Sequence, residues 1–323
     1  MATHMIDILI PTFNRADFLV KNIRKLDAMA RFEGVSEKYR ILVSDNHSTD
    51  STREKLAELA DLSLEIKVIW QPVNIGLEKN ALAVLGASDA KYVIYLGDDD
   101  FLPDGYLSYI YGLVKSEDHL SLVVPGSSAL KSDGSISPVR NETFQRRRYT
   151  EGFATTKTIS HLGHQLSGLV LLRENLFEVY NKNPALGNLY PFIFFVTYNA
   201  MRGVSYYAPE YSVLVSQGNQ KDWSYDESGL LTHIFRSYRI AFPDDVIRRT
   251  ILCLIFVSKQ AWRLRLGMNP KKSVVALCHI WADPSMWWGI KIGLLLQTPY
   301  LYVRALWRKL NRIAGRKGKS NVS

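Results

Sequence analysis

The chain has 323 residues, 47% hydrophobic and 22% charged with 20 Gly and 12 Pro, proportions that exclude a disordered, collagenous or low-complexity chain and leave ample residues for a core. The net charge of +9 is concentrated in a tail: from Pro284 onward there are eight Lys or Arg and no acid, leaving about +1 for the rest, so this is a nearly neutral body and not a uniformly basic nucleic-acid binder. Two cysteines in apolar surroundings, Cys253 and Cys278, exclude a disulfide framework and a structural zinc site and fit a reducing, cytoplasmic setting.

Strand and helix signals alternate over the first 125 residues. Ile6 to Ile10 is an apolar run ending at Pro11, and Ala16 to Arg31 spaces Phe18, Leu19, Ile23 and Leu26 as a helix does. Ile41 to Val43 predicts a strand, Asp50 to Ala60 a helix, Ile66 to Trp70 a strand and Leu77 to Leu85 a helix. Tyr92 to Leu96 is a fourth strand, Pro103 opens another helix, and Leu120 to Val124 is a fifth apolar run. Strands separated by one helix each imply parallel crossovers, an α/β class with a doubly wound, mostly parallel sheet. The segment from Gly126 to His164 reads as a long connection, followed by a strand over Ser167 to Leu172 and helices over Arg173 to Tyr180 and Pro191 to Met201. Beyond Pro243 the pattern is helical. Asn269-Pro270, Asp283-Pro284 and Thr298-Pro299 each pair a capping residue with Pro at a first helical position. No signal-peptide pattern precedes the first strand.

In a doubly wound sheet ligands sit at the carboxyl ends of the strands. Those ends carry Pro11-Thr12-Phe13-Asn14-Arg15, then Ser44-Asp45-Asn46-His47-Ser48-Thr49-Asp50, then Pro72-Val73-Asn74-Ile75-Gly76, and finally Gly97-Asp98-Asp99-Asp100. Three consecutive carboxylates at the end of a buried strand repel one another unless a cation joins them, and an oxygen-only donor set suits Mg²⁺ or Mn²⁺ bridging nucleotide phosphates. A solvated acidic turn before a helix is the alternative. Asp45 reads equally as an Asx-turn residue, and Asp50 as a helix cap.

Taken in order, Ile-Pro-Thr-Phe-Asn-Arg, Val-Ser-Asp-Asn-His-Ser-Thr-Asp, Asn-Ile-Gly-Leu-Glu-Lys-Asn and Leu-Gly-Asp-Asp-Asp before Phe-Leu-Pro resemble the family 2 glycosyltransferases, which have the GT-A fold, over roughly Asp7 to Leu122. The resemblance implies a nucleotide-sugar donor, a divalent metal and transfer of a sugar to an acceptor hydroxyl. It implies that Pro11, Thr12, Asn14 and Arg15 line the nucleotide site, that Asp45 contacts the base, and that Asn74, Gly76 and Asn80 shape the pocket. The family's acidic motif reads Asp-x-Asp-Asp; here its first acid falls on Gly97, so Asp99 becomes the leading metal ligand with Asp100, and Asp98 turns to the donor. The motif combination looks most like O-antigen transferases, including those handling deoxysugars such as abequose.

Members that invert configuration usually carry a catalytic acid on a helix after the strand placed here at Ser167 to Leu172. The corresponding Gly187-Asn188-Leu189-Tyr190 has none, and no Asp or Glu lies between Glu178 and Glu210. His164, Asp222 and His161 are the substitute candidates, with Glu210 and Asp226 behind them and Tyr190 as an acceptor-pocket residue. In the tail, Tyr300, Val303, Leu306, Trp307, Leu310 and Ile313 share one helical face, with Arg304, Arg308, Lys309 and Arg312 on the other. Such a helix suits an anionic membrane surface, or else docks its apolar face on the core. The expected organisation is therefore a GT-A catalytic domain over 1–240 (nucleotide half 1–125, acceptor half 126–240) and a helical, basic, membrane-associating region over 241–323. The expected partners are a nucleotide-sugar donor, a polyprenyl-linked glycan acceptor and the inner face of the cell membrane, with no nucleic acid. The rival readings are a sugar nucleotidyltransferase, which would need a Gly-rich basic phosphate loop after the first strand, and a membrane-docked scaffold that has lost its catalytic base.

Overall fold

A computed structural model describes residues 4–59, 61–138, 145–182, 191–217, 230–261, 270–284 and 286–320. The chain divides into two compact units, Met1–Asp222 and Trp223–Ser323.

The first unit is built on β1 (Ile6–Thr12), α1 (Ala16–Phe32), β2 (Tyr39–Asp45), α2 (Thr52–Ala57), β3 (Glu65–Trp70), α3 (Leu77–Gly86), β4 (Tyr92–Tyr95) and α4 (Tyr106–Ser116). β1, β2 and β4 are buried along nearly their whole length, which is why they read as unbroken apolar runs rather than alternating ones. Leu19, Ile23 and Leu26 of α1 join Ile8, Ile10, Ile41, Val43 and Ile94 in one core. The expected helix starting at Pro103 begins three residues later, at Tyr106, because Gly105 takes a left-handed conformation (φ +79°) just before it.

The rest of this unit is β5 (Leu120–Leu130), β6 (Ile136–Pro138), β7 (Arg147–Tyr149), α5 (Phe153–Ile159), a 3-10 turn over Ser160–His164, β8 (Val170–Leu172), α6 (Leu176–Asn181), α7 (Pro191–Arg202) and β9 (Val204–Ser216). Among the described residues the strands form one nine-stranded sheet of order β3-β2-β1-β4-β8-β5-β9-β7, with β6 paired to β5. β1, β2, β3 and β4 run parallel, as the alternation required, whereas β8 is antiparallel to both β4 and β5. The sheet is mixed but mostly parallel, the GT-A arrangement.

The span read as a connection from Gly126 to His164 holds the end of β5, two short strands, a helix and a 3-10 turn. β9 lies outside the elements the sequence predicts. Its 13 residues set Tyr206 beside Tyr207 and Val213, Leu214 and Val215 in succession and are interrupted by Pro209, so the two-residue strand period is broken. The β5–β9 pairing steps from Pro125↔Ala208 to Gly126↔Ser212, so β9 carries three extra residues there. A Cβ on Gly126 would stand 2.4 Å from the Pro209 carbonyl oxygen, which only glycine avoids.

The second unit contains α8 (Leu230–Ala241), α9 (Val246–Lys259), α10 (Pro270–Ala282) and α11 (Trp288–Ser320). α8, expected in the catalytic domain, belongs to this unit and packs on α9 and α10. Asp245 caps α9, its carboxylate accepting from the Arg248 N–H at 2.8 Å. α10 starts at Pro270 as predicted. Asp283-Pro284 precedes α11 without opening it, and Pro299 lies inside α11 rather than at a start.

Candidate active site

In this sheet β1 lies between β2 and β4, so the chain winds outward in both directions from β1, and the crevice at its carboxyl end is the topological switch point. Thr12, Asp45 and Trp70 end β1, β2 and β3 and stand in register across the sheet edge. β4 ends one strand away and releases Gly97-Asp98-Asp99-Asp100 into the same crevice. The strand ends that the sequence marked as polar are therefore brought together.

The acidic loop is held from every side. Asn22, buried on α1, donates to the Gly97 carbonyl at 3.0 Å, and the Gly97 N–H donates to Ser167 Oγ at 3.0 Å. Phe101 exchanges two 2.9 Å backbone hydrogen bonds with Leu214 of β9. The three carboxylates then diverge. Asp98 is buried and accepts from Thr12 Oγ1 at 2.8 Å. Burial pushes its carboxyl up to about 7 against the pull of Arg15, with Asp99 adding to the rise and Thr12 opposing it. Asp99 pairs with Arg15 Nη1 at 2.5 Å, and the same nitrogen is 3.9 Å from Asp98. Asp100 turns the other way: it accepts from the Ser216 N–H at 3.0 Å and from Ser167 Oγ. Its carboxylate ties the loop to β9 and to the segment before β8.

Around β2 the polar side chains mostly satisfy one another. Asn80, on α3, donates to the Ser44 carbonyl at 2.9 Å and accepts from Ser44 Oγ at 2.7 Å, pinning α3 to the end of β2. Asn74 accepts from Asn46 Nδ2 at 2.8 Å and from the Gly76 N–H at 3.0 Å, while Asn46 accepts from the Ile75 N–H. Gly76 has φ +83°, a left-handed turn suited to glycine before α3. Asn14 (φ +52°) accepts from the Thr49 N–H and donates its own N–H to Ser48 Oγ, joining the first two loops. Asp50 accepts from the Ala16 and Thr52 N–H groups, both at 3.1 Å, so it serves the starts of two helices. Asp45 is different. Its Oδ2 accepts from the Ser48 N–H at 3.1 Å, but Oδ1 is shielded from solvent and has no hydrogen-bond partner among the described residues.

Of the catalytic-base candidates, His161 and His164 share the 3-10 turn packed against α7. His161 is buried, whereas His164 is half-buried and donates Nδ1–H to the His161 carbonyl at 2.8 Å. A carbonyl only accepts, so the neutral His164 ring has its lone pair on Nε2. His164 lies three residues before Ser167, which holds Gly97 and Asp100. Asp222, Asp226 and the Gly187–Tyr190 segment lie outside the described residues. Glu210 is engaged with Arg146 at 2.5 Å. Asn22, Ser167 and Ser216 were missed as supports of the site; of these only Asn22 left a trace, as a polar residue among the core-facing positions of α1.

No group of three or more His, Cys, Asp or Glu side chains among the described residues is arranged to hold a metal. Asp98 and Asp99 nonetheless place two carboxylates side by side with only the Arg15 guanidinium against them, and Mg²⁺ and Mn²⁺ commonly take one or two protein carboxylates and draw their other ligands from phosphate and water. The residues present fit such an ion.

Comparison with known proteins identifies the family and the fold. The profile of the family described as "Glycosyl transferase family 2" matches residues 7–178. The abequosyltransferase RfbV of Salmonella typhimurium is 24% identical over 205 residues, and the match covers 59% of each chain. This chain thus aligns with under two thirds of that relative's length. An uncharacterised glycosyltransferase of Haemophilus influenzae is 22% identical over 117 residues, covering 36% of this chain and 35% of that one. Among solved structures, S. aureus TarS 1-349 in complex with UDP-GlcNAc superposes with a TM-score of 0.64 at 14% identity, covering 93% of this chain and 88% of TarS. The mannosyltransferase PcManGT of Pyrobaculum calidifontis, in complex with GDP-Man and Mn²⁺, gives 0.51 at 14% identity, covering 95% and 87%. At these identities the structural likenesses establish the fold.

Proposed function

Because the chain belongs to glycosyl transferase family 2, we propose that it moves a sugar from a nucleotide-sugar donor to a hydroxyl of a glycan acceptor, the donor lying across the carboxyl ends of β1, β2 and β4. The observation that carries this reading is Asp45 Oδ1, a buried acceptor without a partner at the switch-point crevice. A nucleobase N–H would satisfy it. Thr12, in register with Asp45, and Pro11 beside it would border the donor, and Asn14, Asn74, Gly76 and Asn80 hold the surrounding loops in place through the hydrogen bonds described above.

The acidic loop receives the diphosphate end. Asp99 and Asp98 would hold a Mg²⁺ or Mn²⁺ ion, which when bound offsets the charge of the diphosphate as it leaves. Asp100, first expected as a second metal ligand, is assigned a positioning role because Ser216 and Ser167 engage its two oxygens. Arg15 pairs with Asp99 in this structure and would turn to the donor's phosphates once a cation shares the carboxylates. We assign His164 the removal of the acceptor hydroxyl proton at Nε2, the nitrogen its tautomer leaves basic; His161 supplies the carbonyl that fixes that tautomer. Asp222 is the second choice.

The likeness to an abequosyltransferase supports a cell-envelope glycan of the O-antigen type as acceptor, carried on a polyprenyl lipid. This would place the enzyme peripherally on the cytoplasmic face of the membrane.

A thermal-shift panel of UDP, CDP, GDP and dTDP, each with and without Mn²⁺, tests the reading on wild type and Asp99→Ala. A ligand at a hundred times its dissociation constant adds about 2.7 kcal/mol of stability. One nucleotide is expected to stabilise wild type with metal and to lose that metal-dependent gain in Asp99→Ala. If no nucleotide shifts the wild type, the donor site is wrong.

A further inference from the structure

We infer that the outward face of α11 is an interfacial anchor that lies flat on an anionic lipid bilayer. This inference deepens the peripheral membrane location proposed above by naming the surface responsible.

α11 is apolar on two opposite sides. Its inner side is occupied within the second unit. Ile290, Leu294 and Leu301 are buried, and a Cβ on Gly293 would meet Leu254 of α9 at 2.8 Å, so glycine allows the close approach. Gln297 Nε2 donates to the Leu254 carbonyl at 3.0 Å. Two basic residues of the tail also face inward: Lys291 Nζ donates to the Trp281 carbonyl at 2.7 Å and Arg304 Nη2 to the Ser258 carbonyl at 2.6 Å. Each engages the last turn of a helix, where a cation is favoured.

The outer side stays uncovered. Trp288, Ile292, Leu296, Val303, Trp307 and Leu310 are between 51% and 76% exposed. At 100° per residue these six fall within about 100° of one another, forming a single stripe. From Trp288 to Leu310 the stripe is about 33 Å long. The alternative in which the apolar face docks on the core is therefore reversed along this stretch: Tyr300, Val303, Trp307 and Leu310 are exposed, while Arg304 reaches α9.

Charge selects the occupant. Of the eight cations after Asp283, Lys291 and Arg304 engage helix ends, leaving Arg308, Lys309, Arg312, Arg316, Lys317 and Lys319 with no acid in the segment. A second copy would carry the same unopposed positive charge along this segment and be repelled by it, whereas anionic lipid headgroups attract that charge. Trp288 and Trp307 suit the interfacial layer, with a polar edge for headgroups and an apolar body for acyl chains. No helix among the described residues is long and apolar enough to cross a membrane, so the apolar stripe meets lipid along its length in the plane of the interface.

Cosedimentation of the full chain with phosphatidylcholine vesicles, with and without about 30 mol % phosphatidylglycerol, tests this. The full chain is expected to pellet with the anionic vesicles and to show a blue-shifted tryptophan emission. The double substitution Leu296→Asp with Val303→Asp should weaken binding at least tenfold, about 1.4 kcal/mol, with an unchanged melting temperature. Trp307→Ser serves as a second, milder variant and should weaken binding in the same direction. Unchanged binding in folded variants overturns the inference, as does failure of the intact chain to bind. So does a wild-type dimer that these substitutions convert to monomer without affecting vesicle binding, since that assigns the stripe to a second copy. Nucleotide binding measured on the same samples separates the two readings: vesicle binding lost with nucleotide binding absent in wild type condemns the donor site alone, and nucleotide binding without any vesicle binding condemns the anchor alone.

Discussion

Asp45→Asn probes the donor pocket with opposite effects on binding and on stability. The Asp45 carboxylate is buried, its Oδ2 holds the Ser48 N–H at 3.1 Å, and its Oδ1 has no partner among the described residues. A buried acceptor left unsatisfied costs about 1–3 kcal/mol, and a hydrogen bond to a charged group contributes about 1.5–3 kcal/mol. Asn keeps one oxygen for Ser48 but presents an NH₂ where the nucleobase N–H is expected, setting donor against donor. Nucleoside diphosphate affinity should fall about 10- to 150-fold, from 1.4 kcal/mol per tenfold. The ligand-free protein should be no less stable, because an amide is desolvated more cheaply than a carboxylate. Isothermal titration calorimetry on both proteins, with urea unfolding of the ligand-free forms, measures both effects. Equal affinities would refute the assignment of Oδ1 to the base. A ligand-free variant destabilised by more than about 1 kcal/mol would show instead that the oxygen is structural.

Two stability predictions concern the frame of the site. Arg40 donates to both oxygens of the fully buried Asp7, at 3.0 and 2.8 Å. Arg40→Ala removes the counter-charge of that carboxylate, leaving it only the Ser88 hydroxyl at 2.7 Å, and should cost about 3–5 kcal/mol, lowering the melting temperature by roughly 6–20 °C for a unit of this size. Arg40→Met with Asp7→Leu should recover most of the loss, and a single variant melting with wild type would show the pair to be inert. Asp27 is also buried; burial raises its carboxyl, but hydrogen bonds from the Ser63 hydroxyl, the Leu64 N–H, Arg31 and the Ser63 N–H outweigh this and hold it below the usual value. A folded-state value below the unfolded one gives stability that is complete above the unfolded carboxylate range, about pH 4, and is lost as pH falls through the folded value. Urea unfolding at neutral and acid pH should therefore show wild type losing its margin over Asp27→Asn on acidification; a margin independent of pH would contradict the assignment.

The parallel half of the fold was legible because its information is local. β1, β2 and β4 each hold a compact apolar run, β3 alternates Ile66 and Val68 with the charged Glu65 and Lys67, and each crossover helix has its own period. From β5 onward the determinants are long-range. β8 contributes only Val170–Leu172, and three apolar residues carry no mark of strand direction, so its antiparallel insertion between β4 and β5 depends on partners far away in the chain. β9 is coded by its bulged partnership with β5 rather than by its own pattern. In the tail the helical wheel was readable, but which face packs inward was not: Gly293, Gln297 and Arg304 complement α9, and that complementarity exists only between two helices.

The same distinction explains the acidic loop. The sequence shows three carboxylates in a row and invites one collective role, yet like charges so close together are stable only if each finds its own compensation. The structure divides them: Thr12 and Arg15 meet Asp98, Arg15 meets Asp99, and Ser167 with the Ser216 N–H meets Asp100. The supports Asn22, Ser167 and Ser216 stand 67 to 116 positions from the loop carboxylates and backbone they hold. A lone Ser has no local signature and Asn22 shows only as a polar residue among the core-facing positions of α1, so what these residues hold becomes visible only when α1, the segment before β8 and the end of β9 converge. Asp100 fastens the loop to the second half of the unit, and that anchorage fixes Asp98 and Asp99 at the end of β4 opposite Thr12. The motif supplies the charge, and remote backbone and hydroxyl donors decide which carboxylates are left for the proposed donor phosphate.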